Sequence, residues 1–145
     1  MLSTLYKKLH ALVFPGFPAG RLGVALLLLR LMVGAGMVAH GYFKIIDIGA
    51  FADRHDLPLF LGAAAAISEF VGGMFILLGA LTPFWGLMIA ITMTEAVRTH
   101  ITRGDPFYQP GGPGYELALF YLTAIVVILI LGPGRFSVDS LLFKK

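Results

Sequence analysis

Long apolar runs alternate with short polar stretches along most of this chain. The runs cover residues 22–43, 58–81, 84–100 and 115–131, and the stretches between them are rich in proline, glycine or charged residues. Helices of about this length cross the roughly 30 Å hydrocarbon core of a bilayer. The pattern therefore predicts an all-α fold, an integral membrane four-helix bundle in a single domain over residues 1–145.

The first twenty residues follow a different pattern. Their apolar residues recur at i, i+3, i+4 and i+7, and Pro15 and Pro18 end the stretch before it is long enough to span a bilayer. We expect a short amphipathic helix on the membrane surface, with no cleaved signal peptide. Its apolar positions are Leu2, Leu5, Tyr6, Leu9, Leu12 and Val13.

The composition narrows the function classes. Hydrophobic residues make up 58% of the chain and charged residues only 13%, which is too apolar for a water-soluble domain of this length. Cysteine is absent, which excludes disulfides, thiol redox chemistry and thiolate metal sites. Any electron transfer through the protein would therefore need a bound cofactor. The basic residues are scattered rather than clustered, so no nucleic-acid partner is expected.

The distribution of charge predicts the topology. Four crossings place both termini on the same side as the turn at Thr82 and Pro83. That side collects six basic residues, whereas the opposite side holds four together with several aspartates. The positive-inside rule therefore places the termini in the cytoplasm. The six basic residues are Lys7, Lys8, Arg21, Arg135, Lys144 and Lys145.

Two ionisable residues fall at mid-depth in the predicted spans. Arg30 lies about 12 Å from one membrane face and Glu69 about 17 Å from the other, so the two depths nearly coincide. Small residues flank Glu69 along its helix face, which lets a neighbouring helix approach. We expect a buried Arg30–Glu69 ion pair that fixes helix register, with a proton or substrate role as the alternative.

A second set of ionisable residues lies within about 10 Å of the opposite, outward boundary. We expect these residues to form a polar pocket that faces the periplasm. One interpretation is a network of helix-end charges that reach water. The other is a head-group or quinone site, with a histidine as hydrogen-bond donor and a carboxylate as proton acceptor. The candidates are His40, Lys44, Glu95, Arg98, His100, Tyr115 and Glu116, with His40 as the donor and Glu95 or Glu116 as the acceptor.

Two further features are weaker candidates for a functional site. His40 and His100 lack the spacing of a metal or haem motif, so we predict neither centre. The segment PGGPG at residues 110–114 lacks the lysine and hydroxyl of a phosphate-binding loop. We expect it to form a rigid lid over the pocket.

Taken together, these stretches resemble the DoxX family of small bacterial membrane proteins over residues 21–139. The resemblance is carried by Arg30 and by the motifs HGYFK at residues 40–44, EFVGG at 69–73, LGALTP at 78–83 and GPGRFSVD at 132–139. It implies a four-helix transmembrane bundle in the bacterial inner membrane. It also implies an association with quinone-linked redox or oxidative-stress enzymes, but no catalytic residues to carry over.

Three functions remain open on the sequence. The first is a subunit or accessory of a quinone-linked redox or oxidative-stress system, with a quinone and a protein of the redox complex as partners. The second is a non-enzymatic assembly or interaction protein whose buried charges are structural. The third is a carrier for a lipid or small molecule. Neither the composition nor any motif decides whether the chain is an enzyme.

Overall fold

The computed structural model describes residues 16–143, which form four long helices and two short ones. No strand occurs within those residues, which confirms the all-α prediction. The amphipathic helix predicted at the N-terminus lies outside the described residues. The helices are α1 (Gly20–Ile46), α2 (Ile48–Arg54), α3 (Leu59–Leu78), α4 (Thr82–Thr102), α5 (Glu116–Leu131) and α6 (Val138–Phe143).

Several boundaries differ from the prediction for local reasons. The stretch after α1 was predicted to be a polar loop, but the Asp47 carboxylate accepts a hydrogen bond from the Ala50 amide at 2.9 Å and thereby starts α2. Helix α3 ends three residues early because Gly79 adopts a left-handed conformation (φ +64°) that caps it. The segment that follows the last apolar run is also folded, since it contains α6 and the buried Asp139.

Helices α1 and α3 form the closest helix pair because glycines remove side chains from their interface. A Cβ on Gly41 would lie 2.7 Å from the Phe70 Cα, and one on Gly73 would lie 2.8 Å from the Val38 amide nitrogen. The two backbones are therefore in direct contact, as the predicted stripe of small residues requires. Since Gly41 faces Phe70 while Gly34 faces Gly73, the helices run antiparallel.

Helices α4 and α5 complete the bundle. Helix α4 packs against α3 and α5, and Gly86 of α4 allows the close approach of Leu129. The shared core extends from the α3–α4 turn toward the middle of the bundle. Its buried members are Val33, Met37, Ile76, Ile89, Met93, Ile125 and Ile128.

The outer faces of the bundle are strongly apolar. Large side chains such as Met32, Phe60 and Ile130 are 75%, 70% and 65% exposed. Helices α1 and α3 are long and apolar enough to cross a bilayer, and the shorter α5 is also apolar. A water-soluble protein rarely exposes so continuous an apolar surface. These faces are therefore suited to contact lipid.

Candidate functional site

The bundle has two chemically different ends. We call the end that holds the α3–α4 turn and α6 the turn end, and the opposite end, which holds α2 and the loop between α4 and α5, the loop end. The buried charges of the chain divide between these two ends.

Arg30 belongs to the turn end. Its side chain is fully buried, and its Nη1 donates to the carbonyls of Ile76 and Leu77 at 3.4 Å each. Its Nη2 donates to the carbonyl of Phe136. The guanidinium thus lies at the carbonyl end of α3, where the helix dipole favours a cation. Arg30 therefore ties α1 to the end of α3 and to the C-terminal segment.

Asp139 completes the same structure from the C-terminal segment. Its carboxylate accepts hydrogen bonds from the amides of Leu81 and Thr82 at 2.7 and 2.9 Å, and its own amide donates to the Gly79 carbonyl at 2.9 Å. Asp139 therefore caps α4. The Thr82 side chain does not cap the helix, because its hydroxyl is buried without a hydrogen-bond partner among the described residues.

The predicted Arg30–Glu69 ion pair is wrong because the register of α1 against α3 separates its members. The contacts of Gly41 place Glu69 and Phe70 directly opposite it. Arg30 precedes Gly41 by eleven residues, or about 16 Å along the helix axis. The depths of Arg30 and Glu69 were counted from the predicted start of each helix. Such a count does not include the axial register of α1 against α3, which the glycine contacts set.

Glu69 instead pairs with Lys44. The Lys44 Nζ lies 2.5 Å from the Glu69 Oε1, and it also lies 4.9 Å above the centroid of the Phe51 ring. The Glu69 side chain is 1% exposed, whereas that of Lys44 is 26% exposed. The second carboxylate oxygen of Glu69, Oε2, is buried without a hydrogen-bond partner. Glu69 therefore keeps one carboxylate oxygen that accepts no hydrogen bond from the described residues.

Two cavities meet at this ion pair. The larger one, about 800 Å³, lies at the loop end among α1, α2, α3 and α4. The smaller one, about 190 Å³, lies among α1, α4 and α5. Much of the larger wall is apolar, including Leu61, Met88 and Ile91. Both cavities are lined by His40, Lys44, Glu69, Ala96 and His100.

The structure brings together most of the residues expected to form the pocket. His40, Lys44 and His100 line both cavities. Glu95 and Arg98 line the larger one, where the Arg98 Nη2 lies 2.7 Å from the Glu95 Oε2. Both of these side chains are more than half exposed.

Tyr115 and Glu116 line neither cavity, contrary to the prediction. The Tyr115 ring packs against Phe107 at 5.5 Å, and the Glu116 amide donates to the Phe107 carbonyl at 3.0 Å. These two residues therefore anchor the loop between α4 and α5. Of the expected lid at residues 110–114, only Gly114 lines a cavity, the smaller one.

Sequence reasoning missed other cavity residues. The Tyr121 ring meets the edge of His40 at 5.8 Å, and its hydroxyl packs against Gly36. Leu117, Ala118 and Tyr121 follow helical spacing along α5 and line the smaller cavity, so periodicity could have found them. Arg54 and His55 could not be found this way because their segment was interpreted as a loop.

The cavity residues do not form a recognisable metal site. Within residues 16–143, no three histidine or carboxylate side chains converge closely enough to hold a metal ion. The site instead combines hydrogen-bond donors, one buried carboxylate and apolar walls. Such a combination can bind an amphipathic organic molecule.

An all-helical chain with an apolar exterior and a charged internal cavity defines the class of small helical membrane proteins. The DoxX family model matches residues 25–101, more than half of the chain, and the chain belongs to this family. A Haemophilus influenzae protein described as an uncharacterized protein is 29% identical over 131 residues, covering 84% of this chain and 85% of that relative. No solved structure matches.

Proposed function

We propose that this DoxX family membrane protein is a subunit or accessory of a quinone-linked redox system and binds a quinone in the larger cavity. The observation that carries the proposal is the free Oε2 of Glu69. Glu69 is the innermost α3 residue that lines this cavity, below a wall that includes Leu57, Leu61 and Ala65. A buried acceptor beneath an apolar wall matches a ligand with a polar head and an apolar body.

The chemistry of the inner end suits both redox forms of a quinone. A quinone carbonyl accepts hydrogen bonds, which Lys44 and His40 can donate. A quinol hydroxyl donates one, which the Glu69 carboxylate can accept together with the proton. Glu69 thus replaces Glu95 and Glu116 in the acceptor role, because Glu95 is exposed and paired while Glu116 lies outside the cavity.

The proposal includes a protein partner. A cavity of about 800 Å³ is large enough for a quinone head and the first part of its tail. The chain has no cysteine that could hold an iron–sulfur cluster. We therefore place the redox centre that exchanges electrons with the quinone on another protein of the complex.

Quinone titration of the purified protein tests this function, with quenching of the single tryptophan, Trp85, as the readout. We expect saturable quenching that Glu69→Gln weakens by about tenfold, the effect of losing one hydrogen bond to a charged group. Glu116→Gln makes the same chemical change outside the cavity and should leave binding intact. Absence of saturable quenching, or equal loss in both variants, would contradict the proposal.

The topology belongs to the same proposal. All four long helices would cross the bacterial inner membrane, with the termini in the cytoplasm and the loop end in the periplasm. The cysteine-free chain suits single-cysteine labelling. A membrane-impermeant maleimide should label Gly111→Cys in intact spheroplasts and Arg135→Cys only after lysis. The opposite pattern would show that the orientation is inverted.

A further inference from the structure

The charges that line the larger cavity do not balance. Four cationic side chains line it, but only two carboxylates do. Glu69 pairs with Lys44, and Glu95 pairs with Arg98. The remaining two cations, Arg54 and Arg103, form no ion pair with any residue in the described part of the chain. The cavity therefore retains two uncompensated positive charges.

Arg54 and Arg103 are both exposed and both line the larger cavity, so each lies where this cavity opens to the surface, a region that we call the mouth. Arg54 is the last residue of α2, and Arg103 directly follows α4. His55 lies beside Arg54 and also lines the cavity, and its Nδ1 donates a hydrogen bond to the Phe51 carbonyl at 2.9 Å. Planar guanidinium groups at one opening favour an oxyanion, which accepts several of their hydrogen bonds at once.

Among the described residues, no aspartate near the mouth lines the cavity or forms an ion pair with either arginine. Asp47 caps α2, and Asp105 accepts a hydrogen bond from the His100 Nδ1 at 2.7 Å. Asp53 and Asp56 are exposed and do not line the cavity. The sequence places acidic and basic residues side by side in these loops, whereas only the basic ones line the cavity.

We propose that Arg54 and Arg103 form an anion site that binds the phosphate group of an amphiphile whose apolar part enters the larger cavity. The mouth lies at the end of the candidate spanning helices α1 and α3, which is the depth of lipid phosphates in a bilayer. The wall below it contains Phe43 and Leu57. The phosphate would lie at the mouth and the proposed quinone head at Glu69, so the anion site does not require a quinone, although the apolar parts of the two ligands would compete for the same cavity.

Native mass spectrometry tests the site directly. The protein is released from nanodiscs of phosphatidylcholine that contain a minor fraction of phosphatidylglycerol, and the retained lipids are counted. We expect enrichment of phosphatidylglycerol on the wild-type protein. Arg54→Gln/Arg103→Gln should reduce this retention about 25-fold, since one arginine near an anionic surface contributes about fivefold.

Matched variants separate the site from general charge. Arg21→Gln/Arg135→Gln removes the same two charges at the turn end and should retain phosphatidylglycerol as the wild type does. Arg54→Lys/Arg103→Lys keeps the charge and should keep most of the binding. Equal loss in the turn-end pair, or unchanged retention in Arg54→Gln/Arg103→Gln, would overturn the proposal.

A second arm identifies the source of the phosphate. Inorganic phosphate is titrated into the detergent-purified protein by calorimetry. Retention of phosphatidylglycerol that depends on the two arginines shows that a lipid occupies the site. Phosphate binding that depends on them without lipid retention shows a soluble source, and failure of both ligands rejects the site. These measurements contain no quinone, so a failure of the anion site and a failure of the quinone titration are separate results.

Discussion

The Lys44 Nζ lies 2.5 Å from the Glu69 Oε1 and joins the last turns of α1 to the middle of α3. This pair is also where the two cavities meet. It therefore stabilises the closest helix interface of the fold and at the same time supplies the polar groups of the candidate site. The same two side chains join the helices and line both cavities.

Loss of Lys44 should destabilise the protein because it leaves a buried carboxylate unpaired. We expect Lys44→Met to lower the free energy of unfolding by about 3 kcal/mol, as for other buried pairs that lose one member. Lys44→Met/Glu69→Gln should recover most of this loss, since no unpaired charge then remains buried at this site. Denaturant unfolding in detergent micelles measures both variants, and an equal loss in the two would contradict a coupled pair.

The contact of Gly41 with α3 predicts a strong steric effect. In Gly41→Ala, the added Cβ would lie 2.7 Å from the Phe70 Cα, so the two backbones must separate. We expect a loss of about 3 kcal/mol in the free energy of unfolding together with weaker quinone binding. Gly49→Ala in α2 is the matched control because its nearest neighbour would lie 3.7 Å away. If both variants unfold alike, the helix contact is not as close as described.

The turn end offers an independent prediction. Arg30→Met removes the donors to the carbonyls of Ile76, Leu77 and Phe136. We expect it to release the C-terminal segment and to cost about 3 kcal/mol of stability, since hydrogen bonds to a charged group are strong. Limited proteolysis should then cut at residues 132–143 faster than in the wild type. The exposed Arg21→Met serves as control, and unchanged cleavage in Arg30→Met would contradict the role of this arginine.

Asp139 should act as a helix cap supplied from a distant part of the chain. Asp139→Asn keeps the shape but leaves a single acceptor oxygen for the Leu81 and Thr82 amides. We expect a loss of about 1–2 kcal/mol, the usual range for an N-cap. Asp53→Asn, an exposed change of the same kind, should cost little. Thermal unfolding in detergent compares the two, and equal midpoints would rule out the capping role.

The small-residue stripe around Glu69 and the inward direction of Arg30 followed from helical spacing alone. Arg30, Glu69, Gly72 and Gly73 are all buried. The approximate position of His40, Lys44 and His100 near one end of the bundle followed in the same way. Periodicity and distance along a helix are local properties, so a single sequence contains them.

The partners of the buried charges could not be predicted in this way. Arg30 and Glu69 appeared to match because depth was counted from each helix start, but the glycine contacts of α1 with α3 set a different register. Asp139 lies 57 residues from Thr82 in the sequence, and no local pattern connects them. Contacts of this kind depend on how whole helices pack.

The sequence by itself therefore determined the helical class, the apolar exterior, the family and the residues that turn inward, because these depend on composition and helical period. Only the tertiary structure decided that Lys44 pairs with Glu69, that Arg30 binds backbone carbonyls and that Arg54 and Arg103 have no ion-pair partner within residues 16–143. The physical reason is that an ion pair forms only where two side chains lie close together in space. Which side chains do so depends on the register of the helices and on the path of the loops.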